Sequence, residues 1–166
     1  MHETETLSPV LPNELEEATR RLLAKACERK LVLATAESCT GGMLASLLTD
    51  VPGVAHAFDR GFVTYSEEAK TQMLGVPAKL IEREGAVSEA VAVAMAEGAL
   101  FRSRANIALA ITGFADTGGE PGLVHFACAR NARITAHREE HFGAIGRGGV
   151  RIAALQVAVE MMTEML

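Results

Sequence analysis

Two short apolar runs constrain this chain more than any other feature. Leu31-Val32-Leu33-Ala34-Thr35-Ala36 and Ile107-Ala108-Leu109-Ala110-Ile111 are apolar almost throughout. Each is too short for a helix and has no polar face, so each reads as a strand covered on both sides. Each also runs straight into a turn of small and hydroxyl residues: Glu37-Ser38-Cys39-Thr40-Gly41-Gly42 after the first, Thr112-Gly113 after the second. Helical patterns surround them. Leu15, Ala18, Leu22 and Ala26 recur at helical spacing from Asn13, with acid in the first turn where the helix dipole favours it. Ser66 and Ser88 stand as N-caps, and Gly75 and Gly85 as stops.

Filling in the rest gives a strand near Phe58–Thr64, a loop from Thr112 to Gly122 and a strand over Leu123–Ala129. A hairpin turn at Arg130-Asn131-Ala132 leads into a strand toward His141, and a last helix starts near Arg147. Helices alternate with strands, which predicts a three-layer α/β/α domain. The final hairpin makes the sheet mixed, though mostly parallel. One domain over 13–166 is expected, behind a loose tail at 1–12. At 166 residues the chain is large enough to need no disulfide or metal to hold it together. Aromatics are 4% with no Trp, so the core must come from Ala, Val, Leu, Ile and Met. Ala-rich helices with so few rings point to association of copies, a homo-oligomer, to bury more surface.

Several function classes drop out. A net charge of −5 argues against a protein that coats nucleic acid, which needs a basic face. A small anionic ligand is still allowed, because a few cations in a cleft suffice. No stretch reaches the roughly 18 apolar residues that read as a membrane span. Met1–Pro12 lacks the layout of a signal peptide. Cys27, Cys39 and Cys128 are odd in number and unspaced for zinc, which fits a reducing, cytoplasmic setting.

Four segments could carry chemistry. The Glu37–Gly42 turn offers hydroxyls, a thiol and main-chain N–H groups at a helix start, where open α/β sheets place ligands. The plain alternative is that Ser38 or Thr40 caps the helix and the glycines make a tight turn. Tyr65 and Lys70 follow a strand end. Lys70 can act as a base if burial depresses its pKa, or it is a surface lysine beside Glu67. Thr112-Gly113-Phe114-Ala115-Asp116-Thr117-Gly118-Gly119 is a candidate phosphate nest or a flexible connection. Arg147 and Arg151, four apart, share a helix face and either clamp a phosphate or are solvated. A fifth motif is a decoy. His137-Arg138-Glu139-Glu140-His141 has the H-x-x-E-H form of a zinc site. That chemistry needs a helix, whereas in the strand expected here the two imidazoles stand about 13 Å apart.

Taken together, these segments resemble the CinA C-terminal-like family, the nicotinamide-nucleotide amidases. The resemblance is carried by Ala36–Gly42, Leu48–Gly53, Tyr65–Lys70, Leu74–Val76, Gly85–Glu89, Ala94–Ala99, Thr112-Gly113, Gly122–Val124 and Arg147…Val150-Arg151. It covers nearly all the chain after residue 13. It implies hydrolysis of the carboxamide of nicotinamide mononucleotide in pyridine-nucleotide salvage, with no metal and no cofactor. It makes Ser38 the nucleophile and Tyr65 and Lys70 its activators. It sets Glu37, Thr40, Gly41, Gly42, Thr112, Gly113, Arg147 and Arg151 around the substrate. The chain departs from the family's usual Thr-Gly-Ile-Ala-Gly-Pro-Gly-Gly at Phe114, Asp116 and Thr117, in a shortened loop. It also has Ile145-Gly146 for the usual Gly-Asp before Arg147. These departures keep a second reading open: a nucleotide-binding module without turnover. A cleft-facing Asp116 is expected to repel phosphate and to hold Lys70 protonated.

Overall fold

The computed structural model describes residues 11–166. Residues 1–10 of the expected tail lie outside the described residues; Leu11 packs against the core. The strands are β1 (Leu33–Glu37), β2 (Phe58–Val63), β3 (Ile107–Gly113), β4 (Leu123–Arg130) and β5 (Ala136–His141). The helices are α1 (Asn13–Glu28), α2 (Met43–Thr49), α3 (Glu67–Leu74), α4 (Ala78–Glu84), α5 (Glu89–Phe101) and α6 (Arg147–Met165). The sheet order is β2-β1-β3-β4-β5. β1 pairs parallel with β2 and β3, and β4 is antiparallel to both β3 and β5. Only β4 therefore runs against the others, giving the mixed, mostly parallel sheet.

Side-chain size decides which helices lie on which face. Leu33, Ile107, Leu109, Ile111, Val124, Phe126 and Cys128 point to one side, into a core with α1, α2 and α6. Ala34, Ala36, Ala108, Ala110, Ala127 and Ala129 point to the other, where Val91, Ala92, Met95, Ala96 and Ala99 of α5 meet them. Alternation puts successive residues on opposite faces, so the run Ile-Ala-Leu-Ala-Ile has a bulky face and a thin one. The thin face lets α5 lie close to the sheet. β2, at one edge of the sheet, is only partly covered.

Several strand boundaries differ from expectation; β1 begins at Leu33 rather than Leu31 and takes in Glu37. β3 runs on to Gly113, because Thr112 and Gly113 still pair with His125 and Val124. The β4–β5 turn is longer than Arg130–Ala132: β5 begins at Ala136, and Ala132 sits at a φ of 60°. Ser66 and Ser88 cap α3 and α5 as expected, accepting from Ala69 N–H and Val91 N–H. No helix among the described residues is long and apolar enough to cross a membrane.

Candidate active site

β1 ends in a carboxylate that organises the turn beyond it. Glu37 is fully buried, and its two oxygens accept from Leu44 N–H at 2.8 Å and Ala45 N–H at 3.0 Å. These are first-turn donors of α2, which no helix can satisfy internally. The expected capping role of Ser38 or Thr40 is therefore not seen: the α2 N-cap is Gly42, with no side-chain bond. Two of the helix-start N–H groups expected to face a ligand are thus taken by Glu37. Gly41 and Gly42, at φ of 58° and 99°, turn the chain through a left-handed region that other residues resist. Arg151 holds the turn from outside, its Nη2 donating to the Thr40 carbonyl at 2.9 Å.

Ser38 is left facing a cleft, its N–H bonded to the Ile111 carbonyl at 3.0 Å. Lys70 reaches it from α3. The lysine is 1% exposed, and its Nζ lies 2.9 Å from Ser38 Oγ, 2.8 Å from the Thr64 carbonyl and 3.4 Å from the Tyr65 carbonyl. As an ammonium it donates to all three. As a neutral amine it donates to the two carbonyls and turns its lone pair to the Ser38 O–H. Burial pulls the Lys70 ammonium below its ordinary value, with Cys39 and Glu67 acting in the opposite sense. Neighbouring Cys39 is buried, and that burial pushes its thiol up to about 11. It is a thiol, not a thiolate, near neutral pH.

The cleft beside Ser38 has a volume of about 410 Å³. Tyr65 lies at its rim, 71% exposed; its carbonyl, rather than its phenol, is what touches Lys70. Thr112 lines the wall and donates its hydroxyl to the Ala86 carbonyl at 2.8 Å, tying the end of β3 to the chain before α5. Gly113 leaves no room for a side chain, since a Cβ there would lie 2.7 Å from Val124 Cγ2. Beyond it the short loop closes on Phe114. Its N–H donates to the Leu123 carbonyl, its carbonyl accepts from Gly122 N–H, and Gly119 lies over its ring with no space for a Cβ. Arg147 stands opposite, at the uncapped start of α6.

Six of the residues singled out in the sequence thus meet at one cleft: Ser38, Tyr65, Lys70, Thr112, Gly113 and Arg147. Glu37, Thr40, Gly41, Gly42 and Arg151 do not line it; they stand behind it and shape the Ser38 turn. Asp116 also departs from expectation. It lines the cleft but faces Arg147, with Oδ2 4.0 Å from Nη2, and the carboxylate that raises the Lys70 pKa is Glu67. Glu67, Ala86 and Val87 also line the cleft; in the sequence Glu67 is marked only by the Tyr65–Lys70 motif, and Ala86 and Val87 only by the Gly85–Glu89 motif.

The H-x-x-E-H segment is a strand, β5. His137 Nε2 lies 3.0 Å from His125 Nδ1, and His141 sits between Glu120 and Glu139. Among the described residues, no group of three or more His, Cys, Asp or Glu could hold a metal ion.

These features define an α/β domain with a serine–lysine pair at the strand ends of a mixed sheet. The family described as the CinA C-terminal domain matches residues 15–166, and the chain belongs to that family. A CinA-like protein of Syntrophus aciditrophicus is 44% identical over 157 residues, 92% of this chain and 36% of that protein. A CinA-like protein of Akkermansia muciniphila is 56% identical over 92 residues, 55% of this chain and 22% of its own length. The chain thus spans only about a quarter to a third of the curated relatives it matches. Among solved structures, the competence/damage inducible protein CihA of Agrobacterium tumefaciens superposes with a TM-score of 0.91 at 42% identity. The match covers 95% of this chain and 98% of that one. A CinA superfamily protein of Escherichia coli gives 0.82 at 36% identity, covering 95% and 94%.

Proposed function

We propose that this chain is a serine amidase that hydrolyses the carboxamide of nicotinamide mononucleotide to nicotinate mononucleotide and ammonia. The observation that carries the reading is the buried Lys70 Nζ at 2.9 Å from Ser38 Oγ. A Ser–Lys pair is a known variant of the hydrolytic triad, and a lysine becomes a base when desolvation depresses its pKa. Lys70 takes the Ser38 proton as Oγ attacks the carboxamide carbon. The resulting ammonium returns that proton to the departing nitrogen, and ammonia leaves. Water then attacks the acyl-enzyme carbonyl carbon, its proton passing to Lys70 and from there to Ser38 Oγ as the ester bond breaks, and nicotinate mononucleotide is released with both residues restored. Arg147 and the first turn of α6, which carries no acid and no capping side chain, supply positive potential for the phosphate.

The test is ammonia release from nicotinamide mononucleotide, run with and without chelator. The expected result is release indifferent to chelator, abolished in Ser38→Ala and kept within a few-fold in Cys39→Ala. A silent Cys39→Ala beside an active Ser38→Ala would reverse the assignment of the nucleophile. Tight nucleotide binding with no ammonia from the unaltered protein would support the second reading, a binding module. The shortened loop closed by the Phe114 and Gly122 main-chain bonds is the observation that favours it.

A further inference from the structure

The charges around the cleft are few, and their engagements are specific. Lys70 has three donors as an ammonium and three acceptors already in place, so it offers none to an incoming anion. Arg151 is turned to the Thr40 carbonyl and does not line the cleft. Among the described residues, that leaves Arg147 as the lining cation able to meet a phosphate. Asp116 Oδ2 faces it at 4.0 Å, with both side chains about half exposed. The carboxylate does not stray there by chance of a loose loop. Phe114 and Gly122 close the segment by a pair of main-chain bonds, and the Phe114 ring fills the space beneath Gly118 and Gly119. The anionic side of the cleft is completed by Glu67.

We infer that Asp116 is a specificity-determining residue that lowers the preference of the cleft for phosphorylated over unphosphorylated pyridine amides. A phosphate that engages Arg147 must share that cation with Asp116 and lie close to a second negative charge. A nucleoside without phosphate meets neither cost, and its ribose hydroxyls can donate to the carboxylate. The site therefore admits the nucleoside class beside the nucleotide class. The inference rests on the proposed amidase reading only for its choice of ligands; the ion pair acts on binding whether or not bond cleavage follows.

The experiment measures Kd for nicotinamide mononucleotide and nicotinamide riboside by calorimetry. The proteins are Ser38→Ala alone, Ser38→Ala with Asp116→Asn, and Ser38→Ala with Asp116→Asn and Arg147→Ala. Asparagine keeps the size of the side chain and removes its charge. Without Asp116's charge, the ratio of riboside Kd to mononucleotide Kd should rise about tenfold at low salt, the scale of one unit charge acting on a doubly charged group a few ångströms away. The rise should shrink at 0.5 M salt, roughly where screening reaches below 5 Å, and vanish when Arg147 is also removed. A ratio unchanged by Asp116→Asn, or a rise insensitive to salt, overturns the inference, as does failure of both compounds to bind any of the three proteins. Kcat/KM for the same two compounds, with Ser38 restored, separates the two readings. No ammonia from either compound with the binding ratio still shifted would sink the amidase reading and leave the role of Asp116 standing.

Discussion

Lys70→Met should lower kcat on nicotinamide mononucleotide by roughly a thousandfold, the middle of the range for loss of a general base, and leave KM within a few-fold. Methionine keeps most of the stem volume in a site that is 1% exposed but has no amine to place beside Ser38 Oγ. Lys70→Arg should be as inactive, because a guanidinium stays protonated and cannot accept the Ser38 proton. In the unaltered protein kcat/KM should rise with pH and level off where Lys70 loses its proton, below the ordinary lysine range because burial favours the neutral amine.

The same shift predicts a stability signature that does not depend on activity. Between the lowered folded pKa and the unfolded value of about 10.4, the unfolded chain binds more protons at Lys70 than the folded one. Stability contributed by this group must therefore rise with pH across that window, while below it the buried ammonium is a cost. Lys70→Met lacks that rise, so its Tm relative to the unaltered protein should fall as pH climbs through the window. A Met variant with more than a tenth of the original kcat, or a Tm difference flat with pH, would show that Lys70 is a structural lysine.

The parts of the fold that were legible in the sequence are those fixed by neighbours along the chain. Ser66 and Ser88 cap the helices that begin one residue later, and a cap is a bond across three residues. The buried strands were legible because burial on both faces forbids polar residues. The site was legible in its chemistry and less so in its geometry. Glu37 looked like a ligand-facing acid because nothing in its spacing says that its oxygens fold back onto N–H groups seven and eight residues ahead. Arg147 and Arg151 share a helix face, yet they end up with separate tasks. Four residues of helix advance about 6 Å, enough to carry the second arginine from the cleft to the back of the Ser38 turn. The Asp116–Arg147 contact joins the loop after β3 to the start of α6 and has no local signal at all. Periodicity also hid the unequal faces of the sheet, since both faces are apolar and differ only in volume.

That difference in volume sets up a large stability effect. The thin alanine face lets α5 settle close to the sheet, and α5 then crosses the end of α3 with equal closeness. A Cβ placed on Gly98 of α5 would lie 2.1 Å from the carbonyl oxygen of Leu74 and 3.0 Å from its carbonyl carbon. Those atoms are backbone, so no rotamer change relieves the clash; α3 or α5 must move. Overpacking of a well-filled interior commonly costs 1–3 kcal/mol and sometimes more, and here about 3 kcal/mol is expected for Gly98→Ala. At roughly 2–4 °C per kcal/mol for a chain of this size, Tm should fall by about 6–12 °C. Gly53→Ala is the matched control. Nothing lies within 4 Å of a Cβ at Gly53, but its φ is 83°, so only the left-handed backbone penalty of about 1 kcal/mol applies. Gly98→Ala should also impair catalysis, because Leu74 closes the helix that carries Lys70, and the Lys70 carbonyl accepts from Val76 N–H at that same end. A Gly98→Ala protein that melts no lower than Gly53→Ala would mean that α5 and α3 are not held as closely as this packing requires. The alanine face would then have some other reason to be thin.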